Sequence, residues 1–397
     1  MLDHTTIADQ VAATEELCRR SLQTQFDGLR LPDAPRDPLA WFTLLRGLPE
    51  GWRANRRLRA LRLQAGRVNP RLPAGAVERY ALLQGFLASL PRLAELSLHD
   101  SIKRFYCVQC AEIANPPANR APFFRQGTPP FDEMAKIASL RRFPAGQLTF
   151  DVTGFPRSWL LRIHPASLPA AVRALCRQGL GPVVAPHVNH WRPNPLFVLK
   201  NENERSLRRI AMCMELRPDI GGLVADSWLY SADVGDEFPH LAWVRNFFID
   251  NGAFLVDMET AAPDSGFLVG SARRRELWQE GKFRPRRTLV LWDRHSMLSW
   301  AAAQPEATLD EDRQRAEKPG PIAVAPPRHR LQNGRFPRLS ADTLLRKHPK
   351  PYFALTLLAP SLAAALTASA HAGEWSVMPA FFGTFAFMWI FQYFILQ

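Results

Sequence analysis

Apolar positions recur at helical spacing through the first third of the chain, in "TIADQVAATEELCRRSLQ" and in "AVERYALLQGFLASLPRLAELSLHDSIKRFYCVQCAEIA", where Pro91 is expected to interrupt the second helix. Between them, "GWRANRRLRALRLQAGRVNPRLP" interleaves Arg53, Arg56, Arg57, Arg59, Arg62, Arg67 and Arg71 with Leu58, Leu61 and Leu63. A helix of this pattern has a leucine edge and an arginine face, and suits either a solvated packed helix or one resting on anionic headgroups. From about Phe143 the period shortens. Strands are expected at 147–152, 159–163, 183–188, 196–200, 222–230, 253–259 and 288–292, with helices at 167–178, 203–216, 237–250 and 267–280. Such alternation predicts an α/β fold, a central mixed sheet with flanking helices, behind a helical N-terminal region.

The pattern changes again at the end of the chain. Residues 301–350, rich in Pro, Arg, Asp and Gln, read as a linker, which divides the sequence into 1–145, 146–300, 301–350 and 351–397. From Pro351 to Gly373, and from Trp375 to Gln397, there is no Lys, Arg, Asp or Glu; Glu374 alone separates the two runs. Each is long enough to cross a bilayer, so a two-helix transmembrane hairpin is expected, roughly Tyr352–Ala370 and Ser376–Leu396. Arg335, Arg338, Arg346, Lys347 and Lys350 precede it, which places the bulk of the chain on the cytoplasmic side of an inner membrane.

A net charge of +13 and a pI near 10.1 imply an anionic partner. With such a tail, membrane lipids are the expected one, and membrane proteins could dock through the hairpin. Nucleic acid is not favoured, because neither finger spacing nor an aromatic-basic RNA motif is present. Five cysteines without framework spacing fit a reducing compartment. Cys107 and Cys110 have CxxC spacing inside a helical pattern with no second pair to complete a zinc site, so they read as buried helix residues and no metal is expected.

The polar residues that could carry chemistry gather between 187 and 230. His187 and His190 stand at a strand-to-loop junction, where an imidazole can act as general base. Asp226, Ser227 and Tyr230 follow at the end of another strand, although "DSW" lacks the Gly-x-Ser-x-Gly elbow of a hydrolase nucleophile. Glu202 is a further proton acceptor. The next helix is expected to begin after Asn201 or Asn203, with Arg205, Ser206, Arg208 and Arg209 in its early turns, a composition suited to phosphate.

The strand–helix–strand–helix–strand order of 196–259, with "FFIDNGA" at Phe247–Ala253 and "LWQEGKF" at Leu277–Phe283, resembles the second half of the GCN5-related N-acyltransferase (GNAT) fold. The resemblance covers 147–293. It implies acyl transfer from a CoA or carrier thioester, with Asn203, Arg205, Ser206 and Arg208 on the cofactor phosphates and His187, His190 or Glu202 taking the acceptor proton. That family's Arg/Gln-x-x-Gly-x-Gly loop has no glycine counterpart in "KNENERS", and its proton-donating tyrosine aligns with Phe248. An acyltransferase acting on a lipid-like or membrane-proximal acceptor is therefore one expectation, and a non-enzymatic membrane scaffold or assembly factor the other.

Overall fold

The computed structural model describes residues 6–26, 34–48, 52–69, 72–116, 124–189, 191, 200–261 and 271–304. His190, most of the expected strand 196–200, the linker beyond 304 and the hairpin at 351–397 lie outside the described residues. Among the described residues, no helix is long and apolar enough to cross a membrane.

The N-terminal region is helical: α1 (Ile7–Phe26), α2 (Pro38–Arg46), α3 (Trp52–Val68), α4 (Ala76–Glu95), α5 (Asp100–Ala114) and α6 (Pro129–Ala138). Local chemistry sets several of their ends. Asp37 accepts from Leu39 N ahead of Pro38 at the start of α2, and Thr128 does the same for Phe131 N at the start of α6. α4 packs so closely on α2 that a Cβ at Gly85 would sit 2.4 Å from Leu45 Cδ1. Pro91 does not interrupt α4. It lies near the C-terminal end, where a missing N–H costs one hydrogen bond rather than the helix, and the break falls at Leu96, which turns extended before His99 caps α5. In α3, Leu58, Leu61 and Ala65 are buried while Leu63, expected on the leucine edge, is 56% exposed among the arginines.

A six-stranded mixed sheet follows, from β1 (Phe143–Pro144), β2 (Leu148–Gly154), β3 (Pro182–Val188), β4 (Gly222–Ser227), β5 (Phe254–Thr260) and β6 (Arg286–Asp293), in the order β1-β2-β3-β4-β6-β5. β3 and β4 pair in parallel and every other neighbouring pair is antiparallel. A parallel pair needs a long crossover, here containing α8 (Lys200–Glu215). α7 (Leu168–Gln178) lies between β2 and β3, α9 (Ala232–Glu237) and α10 (Ala242–Asp250) between β4 and β5, α11 (Ala272–Gln279) between β5 and β6, and α12 (Arg294–Ala302) ends the described chain.

Pleating divides the sheet's residues between two cores. Val184, Leu223, Val290 and Trp292 join the cluster formed by the N-terminal helices, so the core does not break at residue 145. Val183, Val224, Val256, Leu289 and Leu291 point the other way, under α7. The expected strand 159–163 is instead a 3-10 turn, Arg157–Arg162, whose Trp159, Leu160 and Ile163 pack on this second core; Ile163 makes only a single bridge, to Met258. The expected helix 237–250 starts too early: α9 ends at Glu237, a 3-10 turn takes Pro239–Leu241, and only α10 falls within the span as a helix.

Candidate functional site

β3 and β4 are in register only at Val183↔Gly222 and Val184↔Leu223, although they run on to Val188 and Ser227. Past that point β3 stays zipped to β2 and β4 to β6, so the sheet opens between the two parallel strands. A cavity of about 300 Å³ sits at the split, bordered by Pro186, His187 and Val188 on one strand and Ala225, Asp226 and Ser227 on the other. Strand edges facing such a split offer main-chain N–H and C=O groups to an extended, amide-bearing ligand. The rest of the wall is mostly apolar, with Leu207 from α8, Leu229, and Trp243, Val244, Phe247 and Phe248 from α10, and it also carries Arg142, Asn203, Glu204 and Tyr230. Phe248 is held edge-on to Tyr230 at 5.4 Å and to Trp292 at 5.7 Å between ring centroids, which fixes its ring in the wall.

His187 is the half-exposed imidazole of this cleft. It pairs across β2 with Thr149 and is therefore diagonal to Asp151, two residues along on the same face. Its Nε2 lies 3.2 Å from Asp151 Oδ2. Asp151 in turn accepts from Arg142 Nε at 2.6 Å and from Arg142 Nη2 at 2.7 Å, a two-point grip. Burial by itself would raise the Asp151 carboxyl, but the hydrogen bonds and charges of Arg142 and His187 outweigh it and hold the group well below the usual carboxylate range. The line Arg142–Asp151–His187 thus sets an imidazole beside an ionised carboxylate, the geometry asked of a general base.

Asp226 and Ser227 also reach the cleft, in other roles. Asp226 is ion-paired with Arg287, whose guanidinium lies 3.7 Å from Glu259. Ser227 Oγ accepts from Leu229 N at 3.2 Å, ending β4 three residues short of the expected strand and starting a 3-10 turn. Tyr230, at the end of that turn, lines the cavity too, and burial pushes its phenol up to about 12, so it stays protonated at neutral pH.

α8 begins at Lys200, with Asn201 and Asn203 inside its first turn rather than capping it. Asn203, Glu204 and Leu207 form the face turned to the cleft. At 100° per residue, Asn203 and Ser206 share one side of the helix and Arg205 and Arg208 another, so the helix does not assemble all four into one cradle. Arg205 donates to Glu202 at 2.9 Å, which also takes Glu202 away from the cavity lining. Ser206 is fully buried, donating to Glu202 O at 2.7 Å and accepting from Gln147 N at 3.1 Å, and Arg208 is half-buried off the lining. Sequence reasoning therefore missed Asp151, Arg142 and the aromatic face of α10. The one available signal was an Asp among the apolar residues of "QLTFDV".

No cysteine lines the cleft. Cys107 and Cys110 lie buried between α1 and α5, with Cys18 Sγ 3.2 Å from Cys110 Sγ, and burial pushes the Cys107 thiol up to about 11. Among the described residues, no group of three or more His, Cys, Asp or Glu side chains is placed to hold a metal ion.

No protein-family model and no curated protein matches this sequence. Among solved structures, the chain is similar to an acyltransferase in complex with decanoyl-CoA and teicoplanin, at 16% identity over 70% of this chain and 87% of that one, with a TM-score of 0.40. It is also similar to an acyltransferase in complex with CoA and 10C-teicoplanin, at 15% identity over 70% and 87%, TM-score 0.38. A third likeness is to an acyltransferase in complex with decanoyl-CoA, at 11% over 71% and 99%, TM-score 0.31. Likeness at these levels says nothing about the chemistry of this chain, which has to be read from its own cleft.

Proposed function

We propose that the protein is a GNAT-like acyltransferase that takes an acyl thioester, of CoA or of a carrier, into the cleft between β3 and β4. The observation that carries this reading is the split itself: a parallel strand pair joined at only two positions, Val183↔Gly222 and Val184↔Leu223, that parts around an open cavity. A thioester with an amide-bearing arm suits the two strand edges, and its acyl chain suits the aromatic wall of Trp243, Phe247 and Phe248. An amine or hydroxyl acceptor attacks the thioester carbonyl, His187 removes the acceptor's proton, the C–S bond breaks, and the departing thiolate is protonated by the imidazolium or by water. Asp151 stabilises the imidazolium while it exists. A scaffold has no need of an open cleft with a carboxylate-backed imidazole on its border, and this favours the enzyme.

The finer reading joins this activity to the tail. Residues 351–397 hold the catalytic unit at the inner membrane, facing the cytoplasm, where a lipid-like or membrane-proximal acceptor is within reach. The deciding experiment is a thermal-shift titration of the full-length protein with CoA thioesters of increasing chain length, beside free CoA and nucleotides. Saturation at about 100 times Kd adds about 2.7 kcal/mol to stability. The midpoint is expected to rise with acyl length, and no response to any thioester from a cooperatively melting protein would overturn the assignment.

A further inference from the structure

α7 covers the sheet with one side, and among the described residues nothing packs on the other. Ala171 and Ala174 are buried against Val183, Val256 and Leu289, while Leu168 is 46% and Val172 59% exposed, one helical turn apart. Cys176 is exposed a further turn along, and Leu161, in the 3-10 turn before the helix, is 59% exposed. Single exposed apolar residues are ordinary, but a row at i, i+4 and i+8 is a face.

Cations outnumber carboxylates around this face. Between Asp151 and Glu202 the sequence contains no Asp or Glu, and it contains Arg157, Arg162, Arg173, Arg177, Arg192 and Lys200. Arg173 and Arg177 are exposed next to the apolar row. The carboxylate facing this group from a neighbouring element is Glu259 of β5, which is 2.8 Å from Arg162. An apolar row edged by arginines is the composition of a helix that lies in the plane of a bilayer surface, because arginine stems extend the apolar contact while their heads meet phosphate.

We propose that the outer face of α7 docks on an anionic lipid bilayer, with Leu168 and Val172 entering the headgroup boundary and Arg173 and Arg177 on the lipid phosphates. The contact is separate from the cleft and does not depend on the reaction proposed there. It turns one layer of the α/β unit into a membrane-facing surface and sets how that unit lies on the bilayer.

Cys176 supplies the test, since Cys18, Cys107, Cys110 and Cys213 are buried and it is exposed on the face in question. The full-length protein is labelled at Cys176 with a polarity-sensitive fluorophore and mixed with vesicles of phosphatidylcholine alone, or of phosphatidylcholine with phosphatidylglycerol. The emission is expected to shift to the blue, and to be quenched by headgroup-level quenchers, only in the anionic vesicles, and high salt is expected to reverse both effects. Arg173→Gln with Arg177→Gln should raise the lipid concentration needed for this shift roughly 30-fold. Val172→Asp should abolish it without moving the thermal midpoint. Anchoring through the C-terminal runs would act in both kinds of vesicle, so identical emission in the two overturns the proposal. A blue shift that needs no lipid and grows with protein concentration would also overturn it, in favour of a second copy on the same face; a shift produced by an acidic protein but not by anionic lipid would do so in favour of a protein partner.

Discussion

His187 is set by three residues that are distant in sequence and adjacent in space. Arg142 grips Asp151 and Asp151 touches His187, so removing any one changes the others. His187→Gln is expected to lower kcat by about 100-fold with little change in thioester KM, as measured by thiol release, because a general base acts in the transition state and not in binding. Asp151→Asn removes a charge-assisted pair and should cost about 2 kcal/mol at neutral pH. The sign with pH follows from the direction of the shift. A carboxyl held low in the folded state contributes stability above its ordinary value near 3.8, and that contribution is lost as the pH falls below it. Thermal melts from neutral pH downward should therefore converge for the wild type and Asp151→Asn in acid; parallel curves would show that the pair does not stabilise the fold.

The split between β3 and β4 depends on how α8 is docked as well as on the strands. Arg209, fully buried on α8, donates to Ala145 O at 2.6 Å and stacks over Phe105 at 4.4 Å, while Ser206 holds Gln147 N, so the helix is fastened to the β1–β2 turn. Gly146 makes that possible. Its φ of +111° belongs to glycine, and a Cβ there would come within 2.6 Å of Arg209 Nη1 and 3.0 Å of Ser206 Oγ. Gly146→Ala is expected to cost about 2 kcal/mol in urea melts, through backbone strain and the displaced guanidinium together. An unchanged midpoint would mean that the turn can yield without disturbing α8. The arginines expected from sequence at a phosphate are thus partly structural: Arg205 is tied to Glu202 along the helix, and Arg209 fastens the helix to the turn.

At the scale of the whole molecule, one unit extends from Met1 to Ala325 and a second from Pro326 to Gln397. If the charge-free runs of the second unit anchor the protein, deleting 351–397 should move it from a carbonate-resistant membrane pellet to the wash, and retention in the pellet would count against the anchor. The sequence by itself determined what depends on local order. Periodicity located β2, β3, β5, β6, α1 and α7 to within a few residues, because their apolar spacing matches the period of the element they form. It also located His187 and Asp226 at strand ends, where open sheets place ligands. Tertiary structure decided the rest. Trp159, Leu160 and Ile163 read as a strand but turn as a 3-10 segment because the second core takes them at that spacing. The phase of α8 turned Asn203, Glu204 and Leu207 to the cleft and buried Ser206, a choice made by packing on the β1–β2 turn and invisible in the order of residues. Asp151 became the partner of His187 only through the register of β2 on β3, since two residues 36 positions apart meet only when a sheet aligns them.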